Sequence, residues 1–226
     1  MVYADISPAI FLSRPNRFIA HVLLDGRETV CHVKNTGRCR ELLVPGAEVY
    51  VQHCPQPGRK TEWDLIAVRK GGSLINMDAA APNAVFGDYL RAGGLGFVPE
   101  WVKPEQQKGD SRFDFGFGHD GKTCWAEVKG VTLEEDGVVR FPDAPTLRGV
   151  KHLRGLIQCV REGCPSWAVF IVQMAEARLF EPNRMTHPEF ADALRDAAAA
   201  GVSILALRCA VTPDSIAALE PVEVRL

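Results

Sequence analysis

The chain has 226 residues, enough for one large domain or two small ones, and 46% of them are hydrophobic, enough for a packed core. Its 26 Lys and Arg residues stand against 28 Asp and Glu residues, and the formal net charge of −2 excludes a protein that binds nucleic acid through overall positive charge. The N-terminus lacks a basic segment followed by an apolar one, so we expect a soluble, cytoplasmic protein without a membrane partner.

The first third of the chain is predicted to form short strands. Strands are predicted over residues 18–24, 28–33, 47–53 and 62–69, with turns at Asp25-Gly26 and Pro45-Gly46 and a strand end at Gly71-Gly72. The only helical pattern in this part covers residues 40–43. Short strands at this spacing predict a small β-barrel. Residues 12–70 also carry ten Lys and Arg and fewer acids, a local basic patch that suits a phosphate backbone.

The pattern changes between residues 73 and 82 to a mixture of helices and strands. Helices are predicted over residues 83–91, 146–161 and 188–200, and strands over 112–118, 122–133, 138–141, 167–172 and 202–207. The apolar run 167–172 is typical of a central strand that is buried on both faces. We therefore expect a barrel domain over residues 1–80 and an α/β domain over residues 81–226.

The seven cysteines are scattered along the chain, and none forms a Cys-x-x-Cys pair. This spacing argues against a zinc ribbon or a disulfide framework. We expect buried thiols in a reducing compartment.

The strongest candidate for chemistry is Glu127-Val128-Lys129, with Asp114 thirteen positions before Glu127. Residues two apart on a strand share one face, and a short hairpin through residues 119–122 would bring Asp114 beside Glu127. Two carboxylates and an ammonium group suit Mg²⁺ or Mn²⁺ and a phosphate, as in metal-assisted phosphodiester hydrolysis. The spacing matches the PD-(D/E)xK nuclease core. Asp88, on the first predicted helix of this domain, is either a third metal ligand or a surface acid.

An isolated acid-x-lysine tripeptide is usually part of a solvated strand face. Here the charged residues lie among Val128, Val131 and Leu133, which are predicted to be buried. Burying an unpaired carboxylate is costly, so these charges are predicted to line a cleft.

Two further stretches suit phosphate binding. Thr146 is predicted to cap a helix whose first turns carry Arg148, Lys151 and His152, close to the outward-facing N–H groups of the helix N-terminus. The alternative for the helix is a basic solvated face, and His152 is either a general base or a structural histidine. The loop Asn35-Thr36-Gly37-Arg38 is either a phosphate cradle or an ordinary turn. Phe18, Tyr50 and Trp63 are candidates for base stacking or for core packing.

Taken in order, these motifs resemble the sugar fermentation stimulation protein A (SfsA) family over most of the chain. The resemblance is carried by Asn16-Arg17-Phe18, Asn35-Thr36-Gly37-Arg38, Leu42-Leu43-Val44-Pro45-Gly46, Ser111-Arg112-Phe113-Asp114-Phe115, residues 127–133, Phe141-Pro142-Asp143-Ala144 and Arg148-Gly149-Val150-Lys151-His152-Leu153. It implies an N-terminal OB-like barrel, a nuclease-like α/β domain, DNA binding without strong sequence preference, and a link to regulation of sugar utilisation. The chain departs from the family pattern at Lys34, Cys39 and Asp88.

Two functions follow from this sequence. In the first, Asp114, Glu127 and Asp88 hold Mg²⁺ or Mn²⁺, and Lys129 assists phosphodiester hydrolysis. In the second, the protein is a catalytically silent DNA-binding regulator of sugar (maltose-type) metabolism genes. In both, DNA is bound mainly through its phosphates. The predicted DNA contacts are Arg17, Asn35, Thr36, Arg38, Arg148, Lys151 and His152.

Overall fold

The N-terminal strands close into a barrel in the computed structural model, which describes residues 1–35, 37–55 and 57–226. The strand order is β3-β2-β1-β4-β5-β6, and β3 closes the barrel by pairing in parallel with β5, Cys31 opposite Trp63 and Val33 opposite Leu65. The strands are β1 (Ile6–Asn16), β2 (Ile19–Leu24), β3 (Arg27–Val33), β4 (Glu48–His53), β5 (Trp63–Lys70) and β6 (Ser73–Asn76).

The four predicted barrel strands are confirmed, with ends that differ by one residue. Strands β1 and β6 were not predicted, and residues 40–42 form a turn instead of the predicted short helix. β1 contains Pro8 and Pro15, which weaken its strand signal because proline has no N–H to donate. Its place is fixed by antiparallel pairing with both β2 and β4, which local sequence does not reveal.

The second half of the chain is an α/β domain built on a mixed sheet with the order β15-β14-β12-β9-β8-β7. A smaller sheet, β10-β11-β13-β16, lies beside it. The strands are β7 (Trp101–Lys108), β8 (Ser111–His119), β9 (Lys122–Val131), β10 (Leu133–Glu135), β11 (Val138–Phe141), β12 (Ser166–Val172), β13 (Leu179–Pro182), β14 (Ser203–Thr212), β15 (Ser215–Pro221) and β16 (Glu223–Val224).

Three helices cover the two faces of this sheet. They are α1 (Ala81–Arg91), α2 (Leu147–Arg161) and α3 (Pro188–Ala199), close to the three predicted ones. α1 packs with the face that carries Ala126 and Val128. α2 and α3 pack with the opposite face, which carries Trp125 and Phe170. Glu127 and Lys129 therefore lie on the α2 side of β9, since residues two apart share a face.

Edge strands account for most of the elements that the sequence did not predict. β7 lies at one edge of the main sheet and is mostly exposed, so it needs no alternating apolar pattern. β15 forms the other edge. The central run at 167–172 is confirmed as β12, which pairs in parallel with both β9 and β14.

All seven cysteines are free, in agreement with the sequence. Among the described residues, no helix has both the length and the apolar character needed to cross a membrane.

Candidate active site between the barrel and the α/β domain

The β8–β9 hairpin places Asp114 beside Glu127. Its turn is made by Asp120 and Gly121, both with positive φ, and the register pairs Phe115 with Ala126. The next position on each strand is Asp114 and Glu127, at the point where the regular β8–β9 pairing ends. The hairpin predicted from the sequence is therefore present.

Glu127 is the most constrained carboxylate of the group. It is only 4% exposed, and its Oε1 atom is bound by Nδ1 of His152 and Nζ of Lys129. Its Oε2 atom is buried and has no hydrogen-bond partner among the described residues. A buried carboxylate oxygen without a partner is unfavourable, so this atom suits a ligand that brings positive charge.

The two carboxylates have opposite pKa shifts. Burial raises the pKa of Asp114, and the charge of Glu127 raises it further. Hydrogen bonds from the N–H of Val128 at 2.7 Å and from the amide of Asn83 at 3.1 Å lower this pKa, but by less. For Glu127, burial alone would raise the pKa, but hydrogen bonds from His152 and Lys129 outweigh it and the pKa is lowered. Two acids this close repel each other, which a shared cation would relieve.

A cleft of about 240 Å³ opens at the carboxyl ends of β9 and β12. Ligands of open α/β sheets bind in this kind of position. Its lining includes Asp114 and Asn83 from the α/β domain, Asn35 from the barrel, Gly130 near the end of β9, and Gln173 directly after β12. A Cβ on Gly130 would lie 2.6 Å from Oε1 of Gln173, so only glycine leaves this space open.

The carboxylates of Asp114 and Glu127 fit a hard divalent cation that keeps some coordination positions open for water and substrate. Among the described residues, no cluster of three or more His, Cys, Asp or Glu side chains is arranged to hold a metal. Asp114 and Glu127 thus supply two carboxylates. Mg²⁺ is commonly held by one or two carboxylates, with waters and substrate phosphate oxygens completing its shell.

The barrel loop after β3 lies over this cleft. Asn35 lines this cleft and also a neighbouring cavity of about 330 Å³, which Gly37, Pro142 and Thr146 line as well. The backbone N–H of Arg38 donates to Oδ2 of Asp143 at 3.3 Å. The loop is therefore attached to the α/β domain at the mouth of the site.

A basic groove, here called the barrel groove, runs along the barrel beside this loop. It encloses about 930 Å³, and its lining includes Arg14, Arg17, Phe18, Arg38 and Arg40. Phe18 is 48% exposed, and the guanidinium carbon of Arg17 lies 5.3 Å from the centroid of its ring. The groove thus combines positive charge with an exposed aromatic ring.

Two family models match the chain. The model described as "Sugar fermentation stimulation protein RE domain" matches residues 80–215, and "SfsA N-terminal OB domain" matches residues 12–77. The chain belongs to the sugar fermentation stimulation protein (SfsA) family. The predicted family is confirmed, and so is the predicted OB-like barrel followed by an α/β domain. The nuclease-like character of the second domain stays a prediction.

Similar proteins match over their full length. A sugar fermentation stimulation protein homolog from Desulfitobacterium hafniense (strain Y51) is 54% identical, over 100% of this chain and 99% of the relative. A homolog from Clostridium beijerinckii is 50% identical over 100% of both chains. A solved structure of SfsA from Pyrococcus furiosus in complex with Ca²⁺ is 28% identical, has a TM-score of 0.89, and matches 100% of this chain and 98% of that one.

Of the predicted α2 residues, His152 lies nearest the carboxylates. It is buried and contacts Glu127, and Nε of Arg148 donates to its Nε2 atom at 3.4 Å. Arg148 and Lys151 are exposed on the same helix. Thr146 caps α2 as predicted, accepting from the N–H of Gly149 at 3.0 Å. Because Thr146 also lines the cavity beside the cleft, the N-terminus of α2 lies at that cavity.

Asp88 is the one predicted ligand that the structure does not bring to the site. Its side chain is 69% exposed and lies 3.9 Å from the N-terminal amine. Asn83, on the same helix, contacts Asp114 instead. Residues five apart on a helix differ by about 140° in direction, so Asp88 and Asn83 cannot face the same strand. The packing of α1 against the sheet, rather than the residue type, decides that Asn83 contacts Asp114.

The remaining predicted contacts lie on the barrel side. Arg17 and Arg38 line the barrel groove and Asn35 the cleft, whereas Thr36 lies outside the described residues. Of the three aromatic candidates, Phe18 lines the groove. Trp63 packs against His53, and Tyr50 bonds to Glu48.

Arg14 is a structural residue of the site that the motifs did not single out. Its guanidinium donates to the carbonyl oxygens of Arg17, Asn35, Gly37 and Arg38 at 2.8–3.0 Å. It thereby holds the hairpin tip and the barrel loop together. Its only signal in the sequence was membership of the basic segment.

Proposed function

We propose that this protein hydrolyses phosphodiester bonds in DNA with the help of a divalent cation, Mg²⁺ or Mn²⁺. The observation that carries the proposal is the buried Oε2 atom of Glu127, which has no hydrogen-bond partner among the described residues and lies beside Asp114, a residue that lines the cleft. A protein that only binds phosphates has no use for two carboxylates facing them. The PD-(D/E)xK spacing of Asp114, Glu127 and Lys129 agrees with this function.

In this proposal Asp114 and Glu127 hold the cation, and Lys129 assists the reaction. The cation would polarise the phosphate and lower the pKa of a bound water. The ammonium group of Lys129 pairs with Oε1 of Glu127. From there it would orient the attacking water and stabilise negative charge that develops on the phosphate. His152 is a positioning residue, since it fixes the Oε1 atom of Glu127 and leaves Oε2 free for the cation.

A known member of the family has been solved with a divalent cation, which supports a cation in this proposal. Pyrococcus furiosus SfsA was solved in complex with Ca²⁺, and its fold matches this chain with a TM-score of 0.89. Ca²⁺ and Mg²⁺ both prefer oxygen ligands, which Asp114 and Glu127 supply.

DNA binding is assigned to the barrel groove and to the exposed side of α2. Arg17 and Arg38 in the groove and Arg148 and Lys151 on α2 would contact phosphates, which favours binding without sequence preference. We propose that residues 1–80 serve in binding, and that residues 81–226 carry the cutting site together with the further phosphate contacts on α2. Binding through phosphates should weaken steeply with salt, because each neutralised phosphate releases counterions.

The test is cleavage of labelled single- and double-stranded DNA with Mg²⁺, Mn²⁺ or EDTA. Wild type should cut only with metal, and Glu127→Ala should not cut while binding DNA as well or better. Glu135→Ala, which removes an exposed acid outside the cleft, is the matched control and should cut normally. A melting temperature for each variant excludes unfolding as the cause.

Each outcome of this test has a defined meaning. Equal cleavage by Glu127→Ala would remove Glu127 from the mechanism. If wild type binds DNA in a salt-sensitive way and never cuts it, the protein is a DNA-binding regulator, in accord with the sugar (maltose-type) role predicted from the sequence.

A further inference from the structure

The barrel groove and the catalytic cleft are joined by the cavity between them. Gly37 and Ala144 line both the barrel groove and the middle cavity, and Asn35 and Gly130 line both the middle cavity and the cleft. The three spaces therefore form one continuous track that leads from Phe18, at the tip of the β1–β2 hairpin, to Asp114. This continuity is decided by the fold, since the track is lined from both domains.

The far end of the track is small. The cleft encloses about 240 Å³, and Glu127 beyond it is 4% exposed. A duplex presents its phosphates on the outside of a broad cylinder whose bases stay paired, so it cannot enter a space of this size. A single strand can bend into it one nucleotide at a time.

The near end of the track has the two features that single-strand binding sites share. Such sites combine a basic groove that follows the backbone with aromatic side chains on which bases stack. Here arginines line the groove, and Phe18 is the exposed ring, held near the guanidinium of Arg17. A paired base in a duplex has no free face to offer this ring.

We propose that the substrate is single-stranded DNA, with a base stacked on Phe18 and the backbone running through the middle cavity to Asp114 and Glu127. The cutting step rests on the proposed function, whereas the binding mode does not. Asn35, whose side chain lines the last part of the track, is a contact of the barrel with the strand next to the scissile phosphate.

The binding mode is tested in EDTA, where no metal-dependent cleavage occurs. Anisotropy gives the affinity of a labelled single strand and of the matched duplex, and a 2-aminopurine base in the strand reports stacking through quenching. We expect wild type to bind the single strand at least about tenfold more tightly than the duplex. Phe18→Ala should weaken single-strand binding by about 5- to 100-fold and abolish quenching, because each base–aromatic stack contributes that much.

Two variants provide controls. Phe18→Tyr keeps the ring and should bind nearly as wild type does. Leu23→Ala removes a 40% exposed apolar side chain from β2, outside the barrel groove, and should change nothing. Tighter binding of the duplex, or equal losses for strand and duplex in Phe18→Ala, would overturn the proposal.

A cleavage arm with Mg²⁺ separates the two proposals. If single strands are cut, Phe18→Ala should raise KM with little change in kcat, because stacking is remote from the reacting phosphate. If wild type cuts neither substrate but keeps the Phe18-dependent preference for single strands, the proposed hydrolysis fails and the single-strand track stands.

Discussion

Replacing Lys34 by alanine tests how the barrel is joined to the α/β domain. Lys34 follows β3, and its Nζ atom lies 2.5 Å from Oδ2 of Asp78, which is fully buried between β6 and α1. The other oxygen of Asp78 accepts from the N–H of Ala80 at 2.9 Å, and the carboxylate also interacts with the hydroxyl of Tyr3. Without the ammonium group, this buried carboxylate would keep neutral partners but lose its paired charge.

The expected effect can be scaled from the geometry. Removing one partner of a buried ion pair costs about 3–5 kcal/mol, because the other charge is left uncompensated. The Lys34 side chain is 26% exposed, so water can replace part of the lost interaction, and we expect about 2–3 kcal/mol. For a protein of this size that lowers Tm by roughly 5–10 °C.

The assay is thermal and urea unfolding of wild type, Lys34→Ala, Asp78→Asn and the double variant. The double variant should be less destabilised than the sum of the single ones, since removing the Asp78 charge relieves the penalty. Lys60→Ala, which removes an exposed lysine of the same domain, should change stability by less than about 0.5 kcal/mol. A loss in Lys34→Ala no larger than in Lys60→Ala would refute this account of the pair.

Three further predictions concern the cleft and its surroundings. Asp114→Asn should stabilise the metal-free protein, because it removes a carboxylate whose pKa is raised by burial and by a neighbouring acid. It should also abolish the rise in Tm with MgCl₂, which in wild type reflects a stabilisation of about 2.7 kcal/mol at a hundredfold excess over Kd. Gly130→Ala should destabilise by about 1–3 kcal/mol and reduce Mg²⁺ binding, because its Cβ would lie 2.6 Å from Oε1 of Gln173. Glu134→Gln should cost about 1 kcal/mol at pH 7 and nothing at low pH, because burial opposes ionisation of Glu134 but the N–H of Gly137 and the ammonium of Lys70 lower its pKa.

The sign of the last effect follows from linkage. A carboxylate with a lowered pKa in the folded state stabilises the protein above its ordinary pKa, about 4.3, and loses that contribution as the pH falls through the folded value. Unfolding curves of wild type and Glu134→Gln should therefore converge as the pH falls through the lowered pKa of Glu134. For Asp114→Asn, a Tm rise with MgCl₂ equal to that of wild type would contradict the ligand role. For Gly130→Ala, wild-type stability would show that Gln173 moves aside.

The arrangement of Asp114, Glu127 and Lys129 could be predicted because its geometry is local. Asp114, Glu127 and Lys129 belong to one hairpin with a two-residue turn, and the period of two along a strand fixes which side chains share a face. The cap at Thr146 and the buried strand at 167–172 were predictable for the same reason, since each depends on neighbours in sequence.

Other parts of the site depend on how separate elements pack. The rotation of α1 decides that Asn83 reaches Asp114 and that Asp88 does not, and nothing in the helix sequence fixes that rotation alone. Lys34 stood out in the sequence only as a departure from the family pattern, and it is the fold that pairs it with Asp78 from another element. Arg14 acts on carbonyl groups more than twenty residues away, which carry no side-chain signal.

The sequence by itself therefore determined the family, the two-part architecture and the carboxylate pair with its lysine, because strand periodicity, turn chemistry and motif order are properties of the local chain. Only the tertiary structure decided which face of α1 meets the site, that β3 closes on β5, and that a barrel loop and a strand end share one cleft. These features arise from burial and ion pairing between residues far apart in sequence. Burial and ion pairing contribute to stability only after the elements have packed together, so the local sequence does not reveal them.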